Sequence, residues 1–193
     1  MMNRSFRRLA ARGFTLIELL IVVIIIAILA AIAIPQFSGT SGDAQESASI
    51  ANLTTMRSAI ELYRVQHNNT YPSTFGTGGA TAAACTGATP AGTVGTGTAG
   101  QPQALTEQLT TFSDAFGHTC SVAAPGYSYG PYLRAIPTEP ITNSNVVTVT
   151  TSDTATPADA ATTVGWRFVN TNGKVQINTT RLARDGVTKL SDK

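Results

Sequence analysis

The sequence predicts an α+β fold, in which one long N-terminal helix is followed by a head built on a small antiparallel β-sheet. Three features of the chain support this prediction. Every residue from Leu19 to Ile34 is Leu, Ile, Val or Ala, an apolar stripe with helical spacing follows, and β-branched and aromatic residues flank an Asn-Gly pair near the C-terminus. With 193 residues, the chain has room for one modest domain and an anchor.

Residues 14–37 form an apolar segment that is long enough to cross a membrane. As a helix they would extend about 36 Å, and the hydrocarbon core of a bilayer is about 30 Å thick. Arginines precede the segment, so the positive-inside rule places the N-terminus in the cytoplasm and the remainder outside. Glu18 lies near the start of the segment, where inserting a carboxylate costs about 2.5–3.5 kcal/mol. We therefore expect Glu18 to have a partner or a function.

The charge is distributed unevenly along the chain. Four of the 13 Lys and Arg residues lie within residues 1–13, which contain no acid. The chain beyond residue 13 therefore contains nine Lys and Arg residues and 11 Asp and Glu residues, a net charge of −2. Binding to nucleic acid needs a clustered basic face, so we predict no nucleic-acid partner.

Three ordinary interpretations of the apolar segment compete. A secretory signal peptide would be cleaved after Ala33, at an A-x-A site that begins at Ala31, and would release a soluble secreted binding domain. Its apolar core usually has about 7–15 residues and no glutamate, so the length and Glu18 both argue against it. A plain membrane anchor explains the length but not Glu18. A buried helix of a soluble domain is disfavoured by the flanking arginines.

The start of the segment carries a more specific motif, Arg12-Gly13-Phe14-Thr15-Leu16-Ile17-Glu18-Leu19. This motif resembles the processing site of type IV prepilins and of type II secretion pseudopilins. In that family a membrane aspartyl peptidase cuts after the glycine and methylates the new amino terminus. The resemblance implies that the leader, residues 1–13, is removed between Gly13 and Phe14, and that Phe14 becomes N-methylated.

Cleavage would also give Glu18 a partner. The new α-amino group of Phe14 is positively charged at neutral pH, and an isolated ammonium or carboxylate is poorly solvated in a bilayer. Pairing Glu18 of one subunit with the Phe14 amine of its neighbour would relieve both charges and set the axial register of an assembly, as the family also implies. The alternative is that Glu18 only neutralises the N-terminus and dipole of its own helix.

The helix is expected to continue beyond the apolar segment. Pro35 should kink or locally melt it. Many pilins combine such a proline with a glycine eight residues earlier. This chain has Ala27 there, and this departure bears on how far the helix melts on assembly. Residues 38–71 form an amphipathic continuation, with residues 38–42 as a possible flexible joint. Residues spaced by three or four positions predict its apolar stripe: Leu53, Met56, Ile60 and Tyr63.

Residues 72–193 are predicted to form the globular head, which begins with a Gly-, Ala- and Thr-rich loop at 76–101. Within this loop, Gly95 to Gly100 matches the dinucleotide fingerprint GxGxxG. The fingerprint needs a preceding buried strand and a following helix N-terminus, so we predict no cofactor. Cys85 and Cys120 are an even number of cysteines in a chain that looks exported, which favours a disulfide between them.

The sheet is expected at about residues 127–180. The run Val146, Val147 and Val149 is β-branched, and the segments 166–169 and 174–177 flank Asn172-Gly173 as a two-residue hairpin. With that loop, Phe168 would face Ile177. One face would carry four apolar residues and receive the helix stripe: Trp166, Phe168, Val175 and Ile177. Residues 127–137 resemble the segment that enters the sheet in major pseudopilins and related pilins.

The sequence contains no catalytic constellation, so we predict a structural protein and not an enzyme. His67 and His118 are expected to be solvated or hydrogen-bonded rather than catalytic bases. Major pseudopilins bind calcium in a head loop, but Asp153 and Asp159 alone make no recognisable site, so no metal site is predicted.

We interpret the chain as a structural subunit of a type IV pilus or pilus-like filament, with the major pseudopilin of a type II secretion system as the alternative. The resemblance implies as partners the prepilin peptidase, an inner-membrane platform protein, its ATPase motor and further copies of the chain. The subunit would wait in the inner membrane as a single-pass protein. It would then enter an extracellular pilus, or a periplasmic pseudopilus if the alternative holds.

Overall fold

The computed structural model describes residues 14–78, 85, 90–154 and 163–193, with only the main chain of residues 34–41. The leader, and with it Gly13, therefore lies outside the described residues. The chain divides into two compact units, one that ends at Gly42 and one from Asp43 to Lys193. The second unit is the head.

The predicted long helix is present as α1, Leu16–Gln66. Its main chain stays helical through Pro35 and through residues 38–42, where the sequence suggested a joint. Gly39 and Gly42 each cost a helix about 1 kcal/mol relative to alanine, and propagation from the long helical segments on both sides offsets this cost. Beyond α1, Asn68 and Asn69 adopt left-handed φ angles of 50° and 62°, which asparagine tolerates better than most residues.

Within the described residues, the head contains one further α-helix, α2, Pro102–Thr110, which the sequence interpretation missed. Proline at the first helical position and the apolar pair Leu105 and Leu109 are the signals that could have identified it. Both leucines are fully buried, so α2 forms part of the core. A short 3-10 helix, Leu190–Asp192, ends the chain.

In the part of the chain that the structure describes, five short strands form two sheets. β1, Phe112–Ser113, pairs antiparallel with β2, Thr119–Cys120. The larger sheet has the order β3-β4-β5, with β3 at Val147–Thr150, β4 at Trp166–Val169 and β5 at Val175–Ile177. Together with α1 and α2, these strands confirm the α+β class.

The larger sheet is mixed rather than wholly antiparallel as predicted. β4 and β5 are antiparallel, but β3 runs parallel to β4. A parallel pair needs a crossover of about a dozen residues or more, and the connection from Thr150 to Trp166 is long enough to provide it. Hydrophobic alternation predicts which residues form a strand but not the direction in which a long connection returns.

The predicted hairpin register is wrong by two residues. Phe168 lies opposite Val175, not Ile177. The loop spans residues 170–173 instead of two residues, and it is closed by bonds from Val169 N to Lys174 O and from Gly173 N to Val169 O, both 2.9 Å. Gly173 has a φ of 73°, and a Cβ there would collide with the ring of Tyr71. Because the shift is even, the same side chains still share one face.

The core of the head is the predicted contact between the α1 stripe and this face of the sheet. All four stripe residues are at most 2% exposed, and the four sheet residues are fully buried in the same cluster. Burying a large apolar side chain contributes about 1.5–3 kcal/mol, so this contact is the main source of head stability. The cluster joins the stripe Leu53, Met56, Ile60 and Tyr63 to Trp166, Phe168, Val175 and Ile177.

A buried carboxylate also ties α1 to the loop before β3. Glu139 is fully buried, and its Oε1 accepts a 2.6 Å bond from Ser49 Oγ on α1. Its Oε2 accepts bonds of 2.6 Å and 2.8 Å from the main-chain and side-chain donors of Thr142. Asn52 adds a 3.0 Å bond from its side chain to Thr138 O. Removing the carboxylate would take the acceptor from both Thr142 donors and break the link from the loop to Ser49, whose hydroxyl would keep only Gln45 O as an acceptor.

We therefore expect Glu139→Ala to lower the free energy of unfolding by about 2–4 kcal/mol, because buried donors that lose an ionisable acceptor are penalised. The measurement is denaturant unfolding of the detergent-solubilised protein. Glu61→Ala is the control, since Glu61 is half exposed and its ion pair with Arg64 lies on the surface. Equal effects of the two substitutions would show that Glu139 does not hold the loop.

Candidate assembly segment

The first helical segment exposes an unusually large apolar surface. Within the described part of the chain, Leu16–Ala33 is the one helical stretch that is long and apolar enough to cross a membrane. Among the residues that the structure describes, none of this stretch is buried. Such a surface is stable only against lipid or against other apolar helices. The most exposed large side chains include Phe14, Leu16, Ile17, Leu19, Leu29 and Ile32.

Glu18 caps the N-terminus of its own helix. Its Oε2 accepts a 2.9 Å bond from Thr15 N and a 2.8 Å bond from Thr15 Oγ1. The hydroxyl oxygen of Thr15 accepts in turn from Glu18 N at 3.3 Å. This reciprocal arrangement is a capping box, and the T-x-x-E spacing before an apolar run was a signal that the sequence interpretation missed. It gives Glu18 a partner inside its own chain.

Two other predicted site residues lie at the borders of this segment. Phe14, the predicted new N-terminus, is 80% exposed and directly precedes the capping box. Pro35 has no N–H group, so it cannot donate to the carbonyl of Ala31 one turn earlier. The helical main chain nevertheless continues through Pro35. The kink remains a prediction.

At the start of the head, two arginines near the C-terminus contact residues 43–46 of α1. Arg184 N donates to Glu46 Oε2 at 2.8 Å, and the Arg184 guanidinium lies 3.3 Å from Asp43 Oδ2. Arg181 adds a 3.4 Å bond from Nη1 to Gln45 Oε1. The Arg184 side chain is 77% exposed, so its ion pair contributes little energy but fixes the position of the segment.

Directly after the C-terminal end of α1, His67 is buried among aromatic rings. Its ring stacks on Tyr63 with centroids 3.8 Å apart, and its Nδ1 lies 2.8 Å from Tyr63 O. This carbonyl can only accept, so Nδ1 carries the proton and Nε2 accepts from Ser113 Oγ at 3.0 Å. Burial lowers the pKa of His67, while the bond to Tyr63 and the charge of Asp114 act in the opposite direction. His67 is thus a neutral, hydrogen-bonded residue, and Ser113 is too buried to act as a nucleophile.

The other predicted histidine, His118, pairs with a carboxylate. Its Nδ1 lies 2.8 Å from Asp114 Oδ2. Asp114 Oδ1 also accepts bonds from the main-chain amides of Phe116 and His118, at 2.9 Å and 3.0 Å. The side chain of Asp114 therefore organises the turn between β1 and β2.

The Gly-rich loop is held by a disulfide and by Glu107. The structure joins Cys85 and Cys120, with Cα atoms 5.9 Å apart. Although burial raises the pKa of Glu107, bonds from Thr77, from Gln103 and from the main-chain amides of Gly97 and Thr96 lower it overall. A helix, α2, does follow the GxGxxG sequence. The main-chain amides of Thr96 and Gly97, which lie within that sequence, donate to Glu107 and therefore already have an acceptor other than a phosphate.

Of the two aspartates considered as calcium ligands, the structure describes only Asp153. Asp153 lies 2.9 Å from Lys174 Nζ and 3.4 Å from Asn172 Nδ2, and these contacts lower its pKa. Asp159 falls outside the described residues. Across residues 14–78, 85, 90–154 and 163–193, no group of three or more His, Cys, Asp or Glu is placed to hold a metal ion.

His67 predicts a pH dependence of stability. Its folded-state pKa lies below the unfolded value of about 6.5, so the unfolded chain binds more protons as the pH falls through that value. Stability should be constant above about pH 7 and should decline below about pH 6.5. The measurement is the melting temperature at several pH values between about 5 and 8.

His67→Gln should flatten this decline, and His118→Gln serves as the matched control with a histidine outside the core. The groups that face His67 are Tyr63, Tyr129, Tyr132 and Asp114. Burial raises the pKa of Tyr63 and the pKa of Tyr132, so both hydroxyls stay neutral in this range. Parallel curves for wild type and His67→Gln would exclude His67 as the cause.

Comparisons with known proteins locate the similarity in this segment. Residues 8–34 match the family of the prokaryotic N-terminal methylation motif. The type II secretion system core protein G of Pectobacterium carotovorum subsp. carotovorum is 35% identical over 63 residues, 33% of this chain and 40% of that protein. Its counterpart in Klebsiella michiganensis is 34% identical over 68 residues, 35% of this chain and 47% of that protein. The protein of the same name from Escherichia coli K12 is 32% identical over 63 residues, 33% of this chain and 43% of that protein.

The resemblance to the prepilin-like family is therefore confirmed for the N-terminal part of the chain. The chain spans less than half the length of the curated relatives it matches. No solved structure matches the chain.

Proposed function

We propose that the chain is a structural, non-enzymatic subunit of a pilus-like filament, and that this filament is the pseudopilus of a type II secretion system. The observation that carries the proposal is the methylation-motif match at residues 8–34 on a helix whose apolar side chains are exposed. The sequence alone favoured a type IV pilin, but the relatives are type II secretion core proteins and favour the pseudopilin alternative.

The first step of the proposed function is processing at the membrane. A prepilin peptidase cuts between Gly13 and Phe14 and methylates the new amino terminus. The cut removes the basic leader and places a cation next to the capping box of Thr15 and Glu18. Residues 14–37 then hold the subunit in the inner membrane, with its head on the outer side.

The second step is polymerisation through the N-terminal helices. Apolar surface that faced lipid packs against neighbouring helices. Glu18 gives up its hydrogen bonds from Thr15 and forms an ion pair with the Phe14 amine of an adjacent subunit. The capping box supports this sequence of events because it satisfies Glu18 before a neighbour is present. A kink at Pro35 would help the helix to fit the filament. An inner-membrane platform protein and its ATPase motor supply the force, and the assembled filament lies in the periplasm.

The processing step predicts the mature N-terminus. We expect Edman sequencing and intact mass of the protein from its host to give a chain that begins at methylated Phe14. Signal-peptide cleavage would instead give a chain that begins at Ile34, and a plain anchor would retain the first residues. Either of these results would remove the filament proposal.

The assembly step predicts that Glu18→Ala separates processing from polymerisation. The variant should be cleaved normally, since the peptide bond at Gly13 is unchanged, but it should stay in the membrane fraction and give at least a tenfold loss of filaments released from the periplasm. This loss corresponds to about 1.4 kcal/mol or more per contact. Thr55→Ala, at an exposed position of α1 in the head, is the control.

Deleting the gene distinguishes the two filament types. Loss of protein export without loss of surface fibres would favour the pseudopilin, while loss of surface fibres alone would favour the pilin.

A further inference from the structure

The edge strand β3 leaves part of its main chain without a partner. It is the first strand in the order β3-β4-β5, so only one of its sides pairs with another strand. On that side, Val146 O accepts from Trp166 N at 3.1 Å. Main-chain groups alternate in direction along a strand, so those of Val147 and Val149 point away from β4. Among the described residues, neither of these two valines has a hydrogen bond on this outer side.

The opposite edge of the same sheet is engaged by other parts of the chain. On β5, Val175 O accepts from Arg57 Nη2 at 3.1 Å, and the Gln176 side chain donates to Ser191 O at 2.9 Å. Proteins usually protect an open edge with a charge, a proline or a bulge. The sequence of β3 is Val-Thr-Val-Thr, without a charge or a proline, and its register with β4 is continuous. β3 is therefore the edge of this sheet that is open to pairing.

A cleft borders the start of this open edge. It has a volume of about 410 Å³ and is lined by residues of α2, by residues 134–136 and by residues 145–147. Val147, in its lining, is only 4% exposed. An N–H or C=O group that is buried there without a partner has lost water and gained no hydrogen bond, which costs free energy. A ligand that supplied the missing acceptor and donor would remove this cost.

The polar side chains that α2 contributes to the cleft are already bonded, whereas its cation is not. The hydroxyls of Thr106 and Thr110 donate to carbonyl oxygens one turn earlier on α2, at 2.9 Å and 2.6 Å. Gln103 donates to Glu107 at 2.8 Å. Among the described residues that line the cleft, Arg134 is the one charged side chain. It is exposed, and it has no hydrogen bond or ion pair with any described residue.

We propose that the cleft beside β3 binds an extended, acidic peptide segment of another protein. The segment pairs with the outward main-chain groups of Val147 and Val149 and places a carboxylate against Arg134. In strand addition to an open edge, main-chain bonds give affinity and side chains give specificity. A guanidinium forms charge-assisted bonds with a carboxylate that are about twice as strong as neutral ones, so the cleft selects acidic over basic segments. This inference concerns the head alone and goes beyond the proposed function.

Affinity selection from a peptide library tests the charge preference. The full chain, solubilised in detergent and immobilised, is offered two pools of acetylated and amidated hexapeptides. Both pools contain random Thr, Val, Ser and Ile residues, and each peptide also carries one Glu in the first pool or one Lys in the second, at every possible position. We expect mass spectrometry to show about fivefold or greater retention of the glutamate pool over the lysine pool.

Arg134→Gln should abolish this difference between the pools, because it removes the cation and keeps a side chain of similar length. Its melting temperature should not change, since the Arg134 side chain is exposed. Lys189→Gln is the matched control. It removes another exposed cation, at the end of the C-terminal hairpin Leu182–Lys189, which does not line the cleft.

A second pair of variants tests the main-chain pairing. Val149→Pro removes an outward N–H group that takes no part in the ladder with β4, and proline is tolerated at such edge positions. Val149→Ala shortens the same side chain but keeps the N–H group. We expect retention of the glutamate pool to fall about fivefold or more for the proline variant only. If Val149→Pro fails to fold, N-methylation of alternate amides in the best-retained peptides removes the same class of bond from the ligand side.

Three results would overturn the inference. They are equal retention of the two pools by the wild-type chain, an unchanged preference in Arg134→Gln, and full retention of the N-methylated peptides. Retention of neither pool, together with a dimer of the solubilised chain that Val149→Pro abolishes, would instead assign the edge to a second copy. The filament proposal is unaffected by any of these results, because the mature N-terminus and the Glu18→Ala variant test it separately.

Discussion

The head depends on the packing of one helical stripe against one face of a small sheet. The strands β4 and β5 have only four and three residues, which is too little for a hairpin to be stable in water without support. Helix α1 supplies that support through Leu53, Met56, Ile60 and Tyr63, all of them buried. The connecting loops, α2 and the C-terminal residues are arranged around this contact, so a loss of stripe packing would release all of them.

The same helix meets two different environments, and this division underlies the proposed function. Its second half is buried on one side in its own head, whereas residues 16–33 expose every large apolar side chain. Among the described residues, the apolar cores of the head contain no residue of 16–33, and the exposed side chains of this first half require lipid or neighbouring helices. An exposed apolar surface of this length favours either membrane residence or polymerisation, and Glu18 is held by Thr15 in a state that is compatible with both.

Carboxylates in the head act mainly as hydrogen-bond acceptors for the main chain. Glu107 accepts from the amides of the Gly-rich loop, Asp114 from the turn between β1 and β2, and Asp185 from the C-terminal hairpin. Glu139 does the same for the loop before β3 and also bonds a serine on α1. Only 12% of the residues are charged, and these acids serve to order loops that contain little apolar core. A charge-assisted bond to a main-chain amide is stronger than a neutral one, so a single side chain can fix a whole turn.

The sequence by itself determined the long helix, its apolar stripe, the face of the sheet that receives it and the prepilin-like segment, because each depends on local periodicity or on a contiguous motif. It did not determine the parallel pairing of β3 with β4 or the position of Phe168 opposite Val175. Those features depend on how a long connection returns and on the ring of Tyr71 beside Gly173, which are contacts between distant parts of the chain. The spacing of Thr15 and Glu18 in the sequence already indicated a capping box. The hydrogen bonds that close it, and those that the Gly-rich loop donates to Glu107, are seen only in the tertiary structure. Hydrogen-bond partners are selected by three-dimensional proximity, and a one-dimensional pattern can only restrict the choice.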